Sequence, residues 1–216
     1  KGRYVRRLFS TIADRYDLIT VLLSFGLDAR WKRRVVRLAD PRPGQDALDL
    51  ACGTGDIAFG LVARGARVTG LDITHRMLQL ARGRATEGAE SVRQSHGGPP
   101  VFVQGDMLDL PFPSASFDVV TTGYGLRNVP DLRRALREIH RVLRPGGVLV
   151  SLDFNRPTNP VVRRIYLAYL WLVGGALGSV LHGDPDTYRY LPASIRRYPG
   201  AAAVVRMLQG EGFEGA

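Results

Sequence analysis

The sequence predicts an α/β protein: a doubly wound, mostly parallel sheet with helical segments before and after it. Three observations carry that reading. From residue 47 onward, short apolar runs alternate with helical stretches, the pattern of strands joined by crossover helices. The first apolar run leads straight into DLACGTGD (49–56), two glycines one residue apart where a strand gives way to a helix. Residues 131–143 then place Leu132, Ala135, Leu136, Ile139, Val142 and Leu143 at helical spacing, ended by RPGG.

Taken in order, residues 4–38 read as helical, with aromatic and aliphatic side chains set among basic ones. ALDLA (47–51) reads as a buried strand, 56–64 as a helix, RVTGLD (67–72) as a second strand and 74–84 as a helix. GAESVRQSHGGPP (88–100) is a polar loop, VFVQGD (101–106) a third strand and FDVVTT (117–122) a fourth. After the 131–143 helix, VLVSLDF (148–154) is the fifth strand. Residues 161–181 and 200–210 read as helices joined by a loop, HGDPDTYRYLPASIRRYP, with three tyrosines and several arginines. The expected organisation is one domain: a helical N-terminal cap (1–40), a cofactor-binding core (41–155) and a substrate cap with a C-terminal helix (156–216). Ligands of such sheets bind at the carboxyl ends of the strands, near the switch point.

The formal net charge of +10 is unevenly placed. Residues 1–40 carry ten basic and four acidic groups, residues 41–155 thirteen and twelve, and residues 156–216 seven and four. A neutral middle with basic flanks favours phosphate-bearing partners, either nucleic acid or anionic lipid. The single cysteine, Cys52, excludes an internal disulfide framework and reads as a small buried thiol beside the glycine turn. The opening KGRYVRRLFS is basic without the apolar core of a signal peptide. The uncharged run 165–181 falls short of the roughly 20 residues of a spanning helix and contains three glycines, so it reads as buried or interfacial.

Gly53 and Gly55, with Ala58, also fit a dinucleotide fingerprint, so the glycines alone do not choose the cofactor. Asp72, ending the second strand, suits the two hydroxyls of an adenosine ribose under either reading. Asp49, within the first strand, suits an ammonium-bearing cofactor better than a pyrophosphate. Asp106 and Met107 close the third strand, where a carboxylate and an apolar neighbour suit an adenine. A positively charged cofactor with an adenosine and an amino-acid tail is S-adenosyl-L-methionine. No metal site is expected from the four scattered histidines.

DLACGTGD, GLDIT, GDMLDLPFPSASFD, GYGLRNVPD, ALREIHRVLRPGG and YRYLPASIRRYP resemble the demethylmenaquinone and polyprenyl-benzoquinol C-methyltransferases, a family of class I methyltransferases with a Rossmann-like fold. The likeness runs from FSTIADRYD (9–17) to EGF (211–213), and GLRNV and YRYLPASIR are its most specific parts. It implies cofactor contacts from Thr54, Asp72, Ile73, Asp106, Met107 and Gly123, with Tyr16 as a lid over the methionine moiety or an aromatic core anchor. It implies methylation of a ring carbon in a reduced polyprenyl quinone, with a demethylmenaquinol preferred over a benzoquinol. Two residues depart mildly from its pattern: Thr20, where Asn is common, and Asp153, where Glu is. The chain ends at GFEGA, where the family's sheet adds a sixth and a seventh strand, so either a shortened sheet or a chain lacking its last edge strands is expected.

Under that reading the ring carbon becomes a nucleophile when the phenol loses its proton, so the site must hold an aryl oxide in line with the methyl group. Arg127 is the residue read for the oxide, since a guanidinium keeps its charge and offers a fork of donors, with an ion pair fixing the loop as its competitor. Asn128 would orient it or the substrate. His182, Asp184, Tyr188 or a water could serve as base. The basic flanks and the apolar run predict a cytoplasmic protein in transient contact with an anionic membrane surface, at the inner face of the cell membrane. A homodimer is compatible with the sequence. Three rivals compete with this reading. A nucleic-acid methyltransferase fits the pI of about 10.4 but lacks a flipped-base motif after the fourth strand, so no nucleic-acid partner is expected. A nicotinamide dehydrogenase leaves Asp49 and GLRN without a role. A non-catalytic lipid- or protein-binding module would have no need of the acidic residues at the strand ends.

Overall fold

The computed structural model describes residues 2–87, 97–155 and 157–215, with the side chains of Arg3, His182 and Asp186 left aside. Residues 88–96 of the expected polar loop lie outside the described residues. The chain divides into two compact units: residues 1–14 with 29–153, and residues 15–28 with 154–216. Of residues 1–40, residues 1–14 and 29–40 fall in the first unit and residues 15–28 in the second.

The first unit holds α1 (Gly2–Ile12), α3 (Asp28–Ala39), β1 (Asp46–Leu50), α4 (Asp56–Val62), β2 (Arg67–Asp72), α5 (His75–Glu87), β3 (Val101–Gln104), β4 (Phe117–Gly123), α6 (Leu132–Val142) and β5 (Leu143–Leu152). α2 (Tyr16–Leu23) belongs to the second unit. The five strands run in the order β3-β2-β1-β4-β5, every pairing parallel. This is the doubly wound sheet expected. The chain steps outward from β1 through β2 to β3, then returns to β4 on the other side of β1, so the switch point lies at the carboxyl ends of β1 and β4.

Sequence explains the strands. β1 is buried along nearly its whole length, as a strand covered on both faces must be. On one face Val35, Val36, Ala58, Leu61 and Leu78 pack against Ala47 and Val68. α6 buries Ala135, Leu136, Ile139 and Val142 completely, the stripe its sequence spacing predicted, and Leu132 is half-buried. Each such Leu or Ile contributes about 1.5–3 kcal/mol on leaving water. Asp131 caps α6, its side chain accepting from the Arg134 amide at 3.0 Å. β5 begins earlier than the sequence predicted because RPGG joins the ladder through a register irregularity before Val148–Leu152 pair regularly with β4.

The second unit contains α2, α7 (Pro160–His182), α8 (Asp186–Arg197) and α9 (Ala201–Gly210). Two expectations change here. The stretch read as a loop from 182 to 199 folds mainly as α8, despite Pro192 inside it. Thr187, Tyr188, Ser194, Ile195 and Tyr198 are buried at helical spacing, and that burial outweighs the proline. The donor Pro192 lacks would have reached the carbonyl of Tyr188. That carbonyl lies against Gly174 of α7, where an added Cβ would come to 3.2 Å, and at Gly178 an added Cβ would come within 2.4 Å of the Asp184 carbonyl. The glycines thus form the seam on which α8 docks. The run read as too short to span a membrane lies in a 23-residue helix of which residues 160–181 have a mean hydropathy of 1.4, so length does not separate it from a membrane span.

Candidate functional site

The carboxyl ends of β1, β2 and β4 gather most of the residues read from the sequence. β1 ends at Leu50, and the chain turns at once through Ala51, which takes φ +52°, although a side chain disfavours that region. Tyr124, just past β4, takes φ +59°. Two non-glycine residues in left-handed backbone, one beyond each strand flanking the switch point, mark where the fold accepts strain.

Gly53 and Gly55 also have positive φ, +54° and +92°. Their surroundings differ. A Cβ on Gly53 would meet nothing within 4 Å, leaving open space for a ligand to approach the backbone, whereas on Gly55 it would meet Phe59 at 2.9 Å. Gly53 thus leaves its backbone open, and Gly55 serves the packing of the turn. Thr54 is buried, and its carbonyl accepts from Arg84 at 2.9 Å.

The turn is clamped by residues that no sequence motif singled out. Lys32 of α3 and Arg84 of α5 both reach Asp56, each at 2.8 Å. Burial alone would raise the Asp56 carboxyl, but the two cations outweigh it and hold it below the ordinary value. The pair Lys32 and Arg84, drawn from helices before and after the strand, thereby fixes the glycine turn.

Asp49 is 1% exposed. Its Oδ1 accepts from the Thr121 hydroxyl at 2.8 Å, and its Oδ2 has no hydrogen-bond partner. Burial pushes its carboxyl up to about 7, against the opposing pull of Thr121, the Ala58 amide and Lys32. A carboxylate oxygen buried without a donor is a costly thing to build into a fold, and an ammonium group satisfies it. Asp72 ends β2; its Oδ2 accepts from the Gly53 amide at 3.0 Å and its Oδ1 from the Thr74 amide at 2.7 Å. Burial raises its carboxyl despite those bonds. Ile73 follows, half-buried, its carbonyl accepting from Gln104.

Asp106 and Met107 lie just past β3 rather than within it, because β3 ends at Gln104. Asp106 is exposed, accepting from the Leu108 amide at 2.9 Å, and Met107 is buried. Gly123 is the last residue of β4. An added Cβ at Gly125 would meet Ala51 at 2.9 Å and Met107 at 3.2 Å, so the loops after β1, β3 and β4 converge there. An unpartnered carboxylate oxygen, open backbone at Gly53, and Met107 near the same convergence fit an ammonium, a ribose and an adenine. Among the residues read as cofactor contacts, this end of the sheet brings together Asp49, Gly53, Thr54, Gly55, Asp72, Ile73, Asp106, Met107 and Gly123.

Arg127 sits in a short turn, Leu126–Asn128, and is 7% exposed. Its guanidinium donates to Asp153 at 2.6 Å and to the Tyr124 carbonyl at 2.9 Å, while its amide donates to the other Asp153 oxygen at 3.0 Å. Asn128 donates to the same Tyr124 carbonyl at 2.9 Å. The arrangement is an ion pair that fixes the loop and stabilises the left-handed Tyr124, the competitor to oxide binding. Cys52 is buried and burial raises its thiol, the environment of an inert side chain. Among the described residues no cluster of three or more His, Cys, Asp or Glu could hold a metal ion.

Tyr16, His182, Asp184 and Tyr188 all belong to the second unit. Tyr16 opens α2, half-buried, and His182 ends α7. Asp184 is exposed and accepts from the Thr187 hydroxyl at 3.3 Å. Tyr188 is 4% exposed, and burial pushes its phenol up to about 12. So little phenolate exists near neutral pH that Tyr188 makes a poor base.

Comparison with known proteins decides the class. The sequence matches the ubiE/COQ5 methyltransferase family over residues 1–216. The chain belongs to the ubiE/COQ5 methyltransferase family. It is 43% identical to the demethylmenaquinone methyltransferase of Thermus thermophilus over 95% of this chain and 91% of that protein. It is 39% identical to the ubiquinone/menaquinone biosynthesis C-methyltransferase UbiE of Hahella chejuensis, over 99% of this chain and 84% of the relative. A SAM-dependent methyltransferase of Thermotoga maritima shares the fold with a TM-score of 0.65 at 20% identity, covering 96% of this chain and 81% of its own. The protein is thus a methyltransferase, and the nicotinamide reading of the glycine turn is set aside.

Proposed function

We propose that this ubiE/COQ5 family methyltransferase methylates a ring carbon of a reduced polyprenyl quinone, converting a demethylmenaquinol to a menaquinol. The observation that carries the cofactor half is Asp49, a buried carboxylate with one oxygen unpartnered at the switch point of a parallel sheet. The acceptor half is supported by relatives named for demethylmenaquinone and for ubiquinone/menaquinone biosynthesis at 37–43% identity. The methyl donor is S-adenosyl-L-methionine, which supplies an electrophilic methyl group on a sulfonium.

Asp49 would hold the ammonium, Asp72 the ribose hydroxyls, and Asp106 with Met107 the adenine. Gly53 exposes backbone with no side chain in the way. Lys32 and Arg84 keep the turn rigid through Asp56, so little ordering remains to be done when the cofactor binds. On the acceptor side the phenol gives up its proton, the ring carbon takes the methyl group from the sulfonium, whose sulfur keeps the electron pair, and the hydrogen replaced on the ring leaves as a proton while the oxygen regains one, so that one proton is released in all. Arg127, paired with Asp153, and Asn128 are positioning residues for the turn after β4. Asp184, exposed and carboxylic, is the base in this reading, with His182 its alternative. Tyr16 covers the methionine moiety. The enzyme acts in the cytoplasm and touches the inner face of the membrane transiently, where a polyprenyl acceptor resides. RNA is not the acceptor.

The test is transfer of labelled methyl from S-adenosyl-L-methionine to chemically reduced demethylmenaquinone in detergent, beside a demethylated benzoquinol and RNA. Label in the menaquinol product is expected. Label in the benzoquinol alone would reassign the ring, and label in RNA alone would overturn the acceptor class.

A further inference from the structure

We infer that Arg134, Glu138 and Arg141 of α6 are positioning residues for the cofactor, gripping the loop after β3 so that Asp106 and Met107 are held ready for the adenine. The inference rests on the cofactor placement proposed above and names the residues that keep it in place. The loop, 105–113, reads GDMLDLPFP, and its Pro111 and Pro113 carry no amide N–H. It is thus short of main-chain donors of its own, and its carbonyls need partners from elsewhere. The loop also folds back on itself. Asp106 and Asp109 form an isolated antiparallel bridge, the Asp109 amide donates to the Asp106 carbonyl at 3.0 Å, and an added Cβ at Gly105 would come to 3.6 Å from Pro111. Whatever fixes 108–112 therefore fixes 106 and 107.

α6 supplies those partners from one stripe. Arg134, Glu138 and Arg141 stand four and three residues apart, beside the buried stripe of Ala135, Ile139 and Val142. The Nε of Arg134 donates to the Leu108 carbonyl at 2.8 Å. Arg141 donates to the Phe112 carbonyl at 2.8 Å and to the Leu110 carbonyl at 3.0 Å, while Glu138 Oε2 accepts from the Leu110 amide at 2.8 Å. Three side chains of one helix thus hold four main-chain groups of one loop. Glu138 and Arg141 also meet each other through two bonds, at 2.8 and 2.7 Å, which aims the guanidinium fork at the two carbonyls. Arg141 beside it holds the Glu138 carboxyl below its ordinary value, so both members are charged near neutral pH. Their side chains are 34% and 19% exposed, and an ion pair as open as this adds little stability by itself. Its specific effect is on the loop. The core uses the apolar positions of ALREIHRV, and the loop uses Glu138 and the last arginine.

Calorimetric titration with S-adenosyl-L-homocysteine and with its inosine analogue, in which a carbonyl oxygen replaces the adenine amino group, tests the assignment. The wild type is expected to prefer the adenosyl compound roughly tenfold, the worth of one hydrogen bond to a charged group. Arg141→Lys puts a point charge where a fork was, and is expected to lose roughly tenfold in affinity for the adenosyl compound and little for the analogue, so that the preference falls toward one. Glu138→Gln keeps an acceptor for the Leu110 amide and should show an intermediate preference. In the unliganded R141K protein, amide hydrogen exchange across 106–112 is expected to quicken. Arg144→Lys is the control, because Arg144 pairs with Asp46 and Asp118 near the amino ends of β1 and β4, at 3.0 and 2.6 Å. It should lower the thermal midpoint and leave the preference unchanged. A wild-type preference retained in full by both R141K and E138Q, whether or not exchange quickens, overturns the inference and leaves Asp106 at the adenine. Equal loss of preference in R144K overturns it too, since general loosening would then suffice. No preference in the wild type removes Asp106 from the adenine, and the inference with it.

Discussion

Asp49 and Asp153 are two buried carboxylates, one in the first strand of the sheet and one just past the last, and they are treated in opposite ways. Asp153 is satisfied on both oxygens by the guanidinium and the amide of Arg127. Asp49 has a hydroxyl on one oxygen and nothing on the other. Under the proposed function the difference separates architecture from ligand binding: where the fold pairs both oxygens, the carboxylate holds a turn, and where it does not, a ligand would complete the pairing. Arg127 has its charge matched by Asp153 inside the protein.

The largest effect that could break this comparison is expected from Arg127→Ala. It leaves the Asp153 carboxylate buried without its cation, a loss of about 3–5 kcal/mol, read as a lower midpoint in urea unfolding. Full stability with lost turnover would return Arg127 to the acceptor. Next in size, Asp49→Asn should lower cofactor affinity by about 2–3 kcal/mol, roughly 30- to 150-fold, in calorimetry, because the ammonium loses its charged partner. Its apo stability at pH 8 should hold or rise, since a buried unpartnered charge has gone. A fall in stability like that of Arg127→Ala would make Asp49 an architectural residue as well.

Proton linkage sharpens the contrast. The Asp49 carboxyl stands near 7 in the fold against 3.8 outside it. A raised carboxyl pKa means that the folded state holds its proton more tightly. This contribution to apo stability is therefore fully present below about pH 4, is lost as pH rises toward 7, and is flat above. Asp49→Asn should abolish that slope. The cofactor needs the ionised form, so its affinity should weaken up to tenfold per unit as pH falls below about 7, about 1.4 kcal/mol per unit. A wild-type affinity independent of pH from 5.5 to 8 would sink this. Smallest of all, Gly53→Ala should cost about 1 kcal/mol of stability for a side chain at φ +54°, visible as a small shift in thermal midpoint, with a proportionally larger loss of cofactor affinity if the space above Gly53 is the ligand's.

What could be read from the sequence follows from distance along the chain. β2 was legible to the residue, RVTGLD, and α6 through its stripe, because both are written in local periodicity. The residues at the strand ends were legible because a parallel sheet forces them to one edge. What could not be read depends on partners far away. Asp153 meets Arg127 across 26 residues, and Lys32 meets Asp56 across 24. The left-handed Ala51 and Tyr124 carry no signal, since neither residue type announces it. α8 was hidden by Gly183, Pro185 and Pro192, which look like breakers until the glycines of α7 supply a surface that makes the helix worth forming. The helix α7 was legible to within one residue at each end, 161–181 against Pro160–His182.

The Arg127–Asp153 pair also sets an order of events. Asp153 comes into place only when β5, the latest in the chain of the five described strands, has joined β4, so the turn after β4 cannot be fixed earlier. A chain emerging during synthesis therefore has β1, β2 and the glycine turn available before that turn is set, and closing the remaining 26-residue loop is what completes the ligand-facing rim. Competence for catalysis is in this way coupled to completion of the fold, and a molecule stalled before β5 docks can hold no finished site.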